Sequence, residues 1–197
     1  MKQKIKAILA VIFTVCAVAI FIFYPFMCTK LHLKVYFHKD TAFTDCRLYY
    51  STLSDPIMSN ETSFYAPITN GKADIVLSSE LCGSLTGIRL DFAQADALIH
   101  ISRVELCSGG FVQKSFNASE FFSADNVIAT NDIDSITSVG TTAYIGTQGV
   151  DPYLVFSEDM TQTFNDAFSH YTGTKAAICL FIAAMVLLSR KKLFSVE

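Results

Sequence analysis

The chain has 197 residues, 51% of them apolar and none of them Trp, enough for one domain with a real core and too little for two. Its formal charge of −3 is unevenly spread: residues 28–174 hold 8 Lys and Arg against 17 Asp and Glu, about −9. So acidic a middle disfavours nucleic acid and other polyanions as charge-driven partners.

Residues 1–6 form a basic start with Lys2, Lys4 and Lys6. From Ala7 to Met27, 21 residues carry no charge, which covers a hydrocarbon core of roughly 30 Å and predicts a first transmembrane helix over 7–27. The Ala17-Val18-Ala19 site lies inside the apolar run, so an uncleaved anchor is expected rather than a signal peptide. Phe26 and Met27 before Cys28 argue against a lipoprotein site.

Residues 28–157 read as an antiparallel β-sandwich. Leu31 to His38 alternates, with Leu31, Leu33, Val35 and Phe37 on one side and His32, Lys34, Tyr36 and His38 on the other. Cys46 to Thr52 alternates again, with Cys46, Leu48 and Tyr50 on one face. A strand over Ala73 to Ser79 follows the Asn70-Gly71 turn signal, and short strands are expected at Asn126 to Ala129, Thr142 to Gly146 and Tyr153 to Phe156.

The most regular stretch is Leu85 to Leu106. Paired about the centre of Ala93 to Asp96 as a hairpin, Ile88 faces Ile101, Leu90 faces Ile99 and Phe92 faces Ala97. Val104 and Leu106 have the opposite parity, and a bulge near Ser102-Arg103 would return them to the core side. Asp91, at the strand end, reads as a turn residue bonding loop amides. The same pairing brings Cys82 opposite Cys107 as a disulfide candidate, with Cys46 as a competitor; a bridge there would add about 3 kcal/mol.

Residues 158–173 change to helical spacing through Met160, Phe164, Ala167, Phe168 and Tyr171, with Ser157 as the cap. A second transmembrane helix is expected over 174–189, with a buried core helix as the alternative, and Arg190, Lys191 and Lys192 lie in the tail 190–197. Basic clusters at both ends place both termini in the cytoplasm and the middle outside the cell membrane.

"GIRLDFAQADALIHISRVEL" resembles the Ile-Arg-Leu-Asp-Pro…Gly…Ile-x-Ile-x-x-Ile-x-Leu pattern of an extracytoplasmic, jelly-roll-like β-sandwich found in bacterial membrane proteins of the polysaccharide-synthesis and glycosyltransferase-associated type. "GVDPYLVF" resembles the Asp-Pro strand that closes such domains. The motif residues are Arg89, Asp91, Asp151 and Pro152, and the likeness covers roughly residues 31 to 157. Phe92 and Ala97 stand where Pro and Gly are usual. The resemblance implies a cell-envelope glycan context and supplies no catalytic residue.

Gly-rich phosphate loops, G-x-S-x-G and H-E-x-x-H do not occur. Tyr36, Tyr49 and Tyr65 are the candidates for stacking on sugar, since an aromatic face suits the C–H face of a glycan ring. Asn131, Asp132 and Asp134 could give oxygen ligands to Ca²⁺, the one cofactor considered. The expected function is a non-catalytic accessory or glycan-contacting module in cell-envelope polysaccharide assembly. Its expected partners are the membrane, an envelope glycan or lipid-linked sugar, and a multi-pass glycosyltransferase or flippase. The alternatives are a pure scaffold docking a multi-pass partner, and an enzyme acting on envelope sugar.

Overall fold

The computed structural model describes residues 30–38, 44–92 and 96–168. They form eleven strands: β1 (Leu31–Phe37), β2 (Asp45–Thr52), β3 (Ser63–Pro67), β4 (Lys72–Leu77), β5 (Leu85–Phe92), β6 (Ala97–Ser108), β7 (Phe111–Asn117), β8 (Val127–Asn131), β9 (Ile133–Val139), β10 (Thr142–Thr147) and β11 (Tyr153–Phe156). One sheet has six strands in the order β4-β1-β6-β10-β9, with β7 also beside β6; the other has five, β3-β2-β5-β11-β8. Every strand pairing is antiparallel. The sheets send side chains into one contiguous core, the arrangement of a β-sandwich.

Two expectations are corrected. No helix among the described residues is long and apolar enough to cross a membrane, a task that takes about 20 consecutive apolar residues. The described helices are the 3-10 turn Ser79–Leu81, Ala118–Phe121 and the segment 158–168, which carries Glu158, Asp159 and Asp166. The fold of the described residues is therefore mainly antiparallel β, and no transmembrane helix flanks the sandwich among them, against the expectation of two. The two-span localisation, with cytoplasmic termini and an extracytoplasmic middle, is corrected to the same extent: it finds no support in the described residues. The segments 7–27 and 174–189 on which it rested lie outside the described residues.

The alternation of β1 is realised residue by residue: Leu31, Leu33, Val35 and Phe37 are buried, and the residues between them are half-buried. In β6 the bulge falls where parity demanded it. Tyr36 pairs with Arg103 and Phe37 with Ile101, so Ser102 is the extra residue, and its hydroxyl donates to the Tyr36 carbonyl at 3.2 Å. Val104 and Leu106 thus join Ile99 and Ile101 in the core, all with no exposed surface. Burying two such side chains is worth about 1.5–3 kcal/mol each, more than the pairing lost at one bulged residue.

The hairpin is a different matter. β5 pairs with β2 and β11, and β6 with β1, β10 and β7. The chain therefore passes from one sheet to the other between Phe92 and Ala97. Ile88 and Leu90 meet the core from one side, Ile99 and Ile101 from the other. The register that set Cys82 against Cys107 is absent, and Cys46, Cys82 and Cys107 are free thiols. Burial, reinforced by the charge of Asp45, pushes the Cys46 thiol up to about 12; burial also raises Cys107. Brief alkylation of the native chain at about pH 8 should label the exposed Cys82 and spare Cys46 and Cys107 until denaturant is added. Peptide mapping reads the outcome, and equal labelling of Cys46 and Cys82 would remove Cys46 from the core.

Asn70 and Gly71 both have positive φ, 53° and 71°, and Thr69 and Lys72 exchange backbone hydrogen bonds across them. This is the two-residue turn that Asn-Gly favours. A Cβ at Gly71 would lie 3.1 Å from the Phe37 carbonyl oxygen.

The helical segment 158–168 begins at Ser157, whose Oγ accepts the Met160 N–H at 3.3 Å. Met160, Phe164, Ala167 and Phe168 are buried. The Asn165 side chain stands in for a strand neighbour at the start of β5: its amide donates to the Leu85 carbonyl at 3.0 Å, and its oxygen accepts the Leu85 N–H at 3.2 Å.

Candidate functional site

The outer face of the five-stranded sheet gathers the polar and aromatic residues that the core rejects. With Cys46 and Leu48 inward, β2 turns Arg47 and Tyr49 outward; with Ile88, Leu90 and Phe92 inward, β5 turns out Arg89 and Asp91. Register then aligns them. One row across the sheet runs Tyr65, Arg47, Asp91, Tyr153, Asn131, and the next runs Ser63, Tyr49, Arg89, Val155, Ala129.

Side chains interleave across these rows. The Arg89 guanidinium carbon lies 3.6 Å from the Tyr153 ring centroid and 5.0 Å from that of Tyr49. The Arg47 guanidinium carbon is 5.9 Å from both the Tyr49 and Tyr65 rings. The result is an alternating series, Tyr65–Arg47–Tyr49–Arg89–Tyr153, over four adjacent strands. At 4.7–4.9 Å per strand it is about 14 Å wide, enough for an oligosaccharide rather than one sugar. Tyr65 is the most open ring, at 56% exposure.

The motif residues meet here. Arg89 donates from Nε to Asp91 Oδ1 at 2.6 Å and from Nη2 to Asp91 Oδ2 at 2.5 Å, and Nη2 also reaches Asp151 Oδ1 at 3.2 Å. Asp91 is thus the fork partner of Arg89, not a turn residue holding loop amides. Burial raises its pKa, against the Arg89 guanidinium, which pulls it down. Pro152 is buried, and its carbonyl accepts the Phe92 N–H at 3.0 Å, tying the Asp-Pro strand to the end of β5.

Tyr36 stands apart, on the outer face of the six-stranded sheet. Its hydroxyl donates to Glu105 Oε2 at 2.7 Å, and the Arg103 guanidinium lies 4.4 Å from its ring centroid. Burial raises its pKa, helped by Glu105. With both hydroxyl and ring engaged by its own neighbours, Tyr36 is not joined to Tyr49 and Tyr65.

Asn131 and Asp132 have local partners of their own, and Asp134 is exposed on β9. Asp132, at φ 51°, accepts the N–H groups of Val150 and Asp151 on Oδ2 at 3.0 and 2.9 Å. Asn131 donates to the Asp151 carbonyl at 2.8 Å. Gly149, at φ 82°, makes the close approach possible, because a Cβ there would sit 2.5 Å from Asp132 Oδ2. Asp132 therefore latches the loop before β11. Among the described residues no group of three or more His, Cys, Asp or Glu side chains could hold a metal ion.

Arg47, Asn60 and Tyr153 belong to the surface and were not named as binding residues from the sequence. The outward parity of Arg47 was visible in the alternation of Cys46 to Thr52, but its place beside Asp91 depends on the pairing of β2 with β5. Asn60, in the loop before β3, accepts from Arg47 Nη1 at 2.8 Å and from the Tyr49 hydroxyl at 3.1 Å. No local pattern announces that contact. Compared with known proteins, the chain matches no family model, no curated protein and no solved structure.

Proposed function

We propose that this chain is a non-catalytic glycan-contacting module whose contact surface is the outer face of the five-stranded sheet. The observation that carries the reading is the series Tyr65–Arg47–Tyr49–Arg89–Tyr153. Aromatic faces bind the C–H faces of sugars, and guanidinium, phenol and amide groups supply the donors and acceptors that hydroxyls need. Arg89, Asp91, Tyr153 and the Asp132 latch hold the surface in place, so little ordering entropy is lost on binding. The resemblance of the Arg-Leu-Asp and Asp-Pro stretches to envelope polysaccharide-synthesis proteins supports the same ligand class.

The test is a glycan array probed with the purified full-length chain, followed by calorimetry on the best ligand. Tyr65→Ala should weaken that binding about tenfold without moving the melting temperature, since Tyr65 is 56% exposed and about 1.4 kcal/mol is a fair worth for one stacked ring. Failure to bind any glycan, or binding untouched by changes at both Tyr65 and Tyr49, would reject the reading.

A further inference from the structure

The two guanidiniums of the surface are not equivalent. Arg89 is neutralised by Asp91 on two bonds and by Asp151 on a third. Arg47 makes no ion pair among the described residues. Its Nη1 donates to the Tyr49 hydroxyl at 3.3 Å and to Asn60 Oδ1 at 2.8 Å, both uncharged acceptors. The nearby carboxylates are otherwise engaged. Asp91, directly across from Arg47, has both oxygens on Arg89. Asp45, two residues along the same strand face, accepts the Thr44 hydroxyl at 2.9 Å.

Of the five N–H donors of a guanidinium, the hydrogen bonds of Arg47 among the described residues use only those on Nη1, which leaves the Nε and Nη2 edge open among them. That edge is the planar fork that matches a carboxylate with two parallel hydrogen bonds. The guanidinium carbon lies 5.9 Å from each of two ring centroids, one of them in the exposed ring of Tyr65.

We infer that the Arg47 end of the surface is a subsite for a carboxylate-bearing sugar, a uronic acid, seated with its ring on Tyr65 and its carboxylate on the open edge of Arg47. The assignment rests on the glycan reading and names its ligand class. It also fixes an unusual salt response. The middle of the chain carries about −9, so a polyanion is repelled at long range and held only by short contacts. Added salt screens the repulsion along with the attraction. Affinity should then change less than about twofold between 50 and 200 mM salt, where charge-driven binding of a polyanion falls steeply.

The experiment uses the full-length chain and matched oligosaccharide pairs. Oligomers of glucuronate, galacturonate and mannuronate are each compared with their carboxyl-reduced counterparts by calorimetry. At least one acid should bind tenfold or more tightly than its reduced partner. Arg47→Gln should abolish the acid-over-reduced affinity ratio, bringing the two members of each pair to equal affinity. Arg47→Lys, which keeps the charge and loses the fork, should retain only part of it. Equal affinity for acid and reduced members, or a preference that survives Arg47→Gln, overturns the uronate subsite and leaves the glycan reading standing. Binding of neither the pairs nor any neutral glycan overturns both.

Discussion

Phe121→Ala is expected to remove about 3–5 kcal/mol of stability, a large share of the roughly 5–15 kcal/mol that holds a domain of this size. Phe121 has no exposed surface. Its ring sits 5.3 Å from Phe116, 4.9 Å from Phe122 and 5.0 Å from Phe156, measured between centroids. Phe116 comes from β7 of the six-stranded sheet and Phe156 from β11 of the five-stranded sheet. One side chain on a four-residue helix thus fastens both sheets at one end of the core. The cavity left by alanine would be lined by rigid rings that relax only in part, which is why the upper range of large-to-small costs applies. Urea denaturation followed by circular dichroism measures the loss, and Phe121→Leu, which keeps most of the volume, should lose only about 1–2 kcal/mol. A loss below about 1 kcal/mol for the alanine variant would mean that the ring does not join the sheets.

Arg89→Met is expected to cost about 2–3 kcal/mol near neutral pH, between the small value of an exposed ion pair and the larger one of a buried pair broken on one side. The side chain of Asp91 is 13% exposed, and without Arg89 it would be an uncompensated carboxylate. The more exposed Asp151, at 58%, would return to water at little cost. The cost should depend on pH in a definite direction. Burial already raises the folded-state pKa of Asp91 above its ordinary 3.8. A carboxyl raised on folding contributes stability below its unfolded value, and that contribution is lost as pH rises through the folded value. Arg89 pulls the folded value down, so its removal raises it further and widens that window. The deficit of Arg89→Met relative to the parent chain should therefore shrink as the pH is lowered toward 3.8, and Asp91→Asn in the same background should recover part of it at neutral pH. A deficit constant across this range would assign the loss to packing of the methionine rather than to the stranded carboxylate.

The two variants probe parts of the fold that differ in how far the sequence foretold them. Phe121 lies in a segment with no assigned element, and its importance comes from where β7 and β11 end. Arg89 and Asp91 stood out in the sequence with Asp151 and Pro152, and the structure brings these residues to one place. Their ion pair was not anticipated, because two residues apart on a strand reads equally well as two solvated charges.

By itself the sequence determined which side of each regular strand is buried. The alternation of Leu31 to Phe37, the inward set of Ile88, Leu90 and Phe92, the parity break that required a bulge at Ser102, the Asn70-Gly71 turn and the Ser157 cap all appear where the residues put them. Each depends on contacts within a few residues or on whether a side chain meets water, and such information is local. Only the tertiary structure decided which strands are neighbours. β7 and β9, rich in polar residues and poorly alternating, and the five-residue β3 carried no clear period, yet they complete the sheets through backbone hydrogen bonds that any strand edge can offer. The same indifference of the backbone let β5 and β6 be read as a hairpin, when each finds its partners in a different sheet. The arginine–tyrosine surface is the sharpest case. The outward positions of Arg47, Tyr49, Arg89 and Asp91 follow from alternation, but their assembly with Tyr65 and Tyr153 exists only because β3, β2, β5 and β11 lie side by side, and that order is settled by burying both sheets against one shared core.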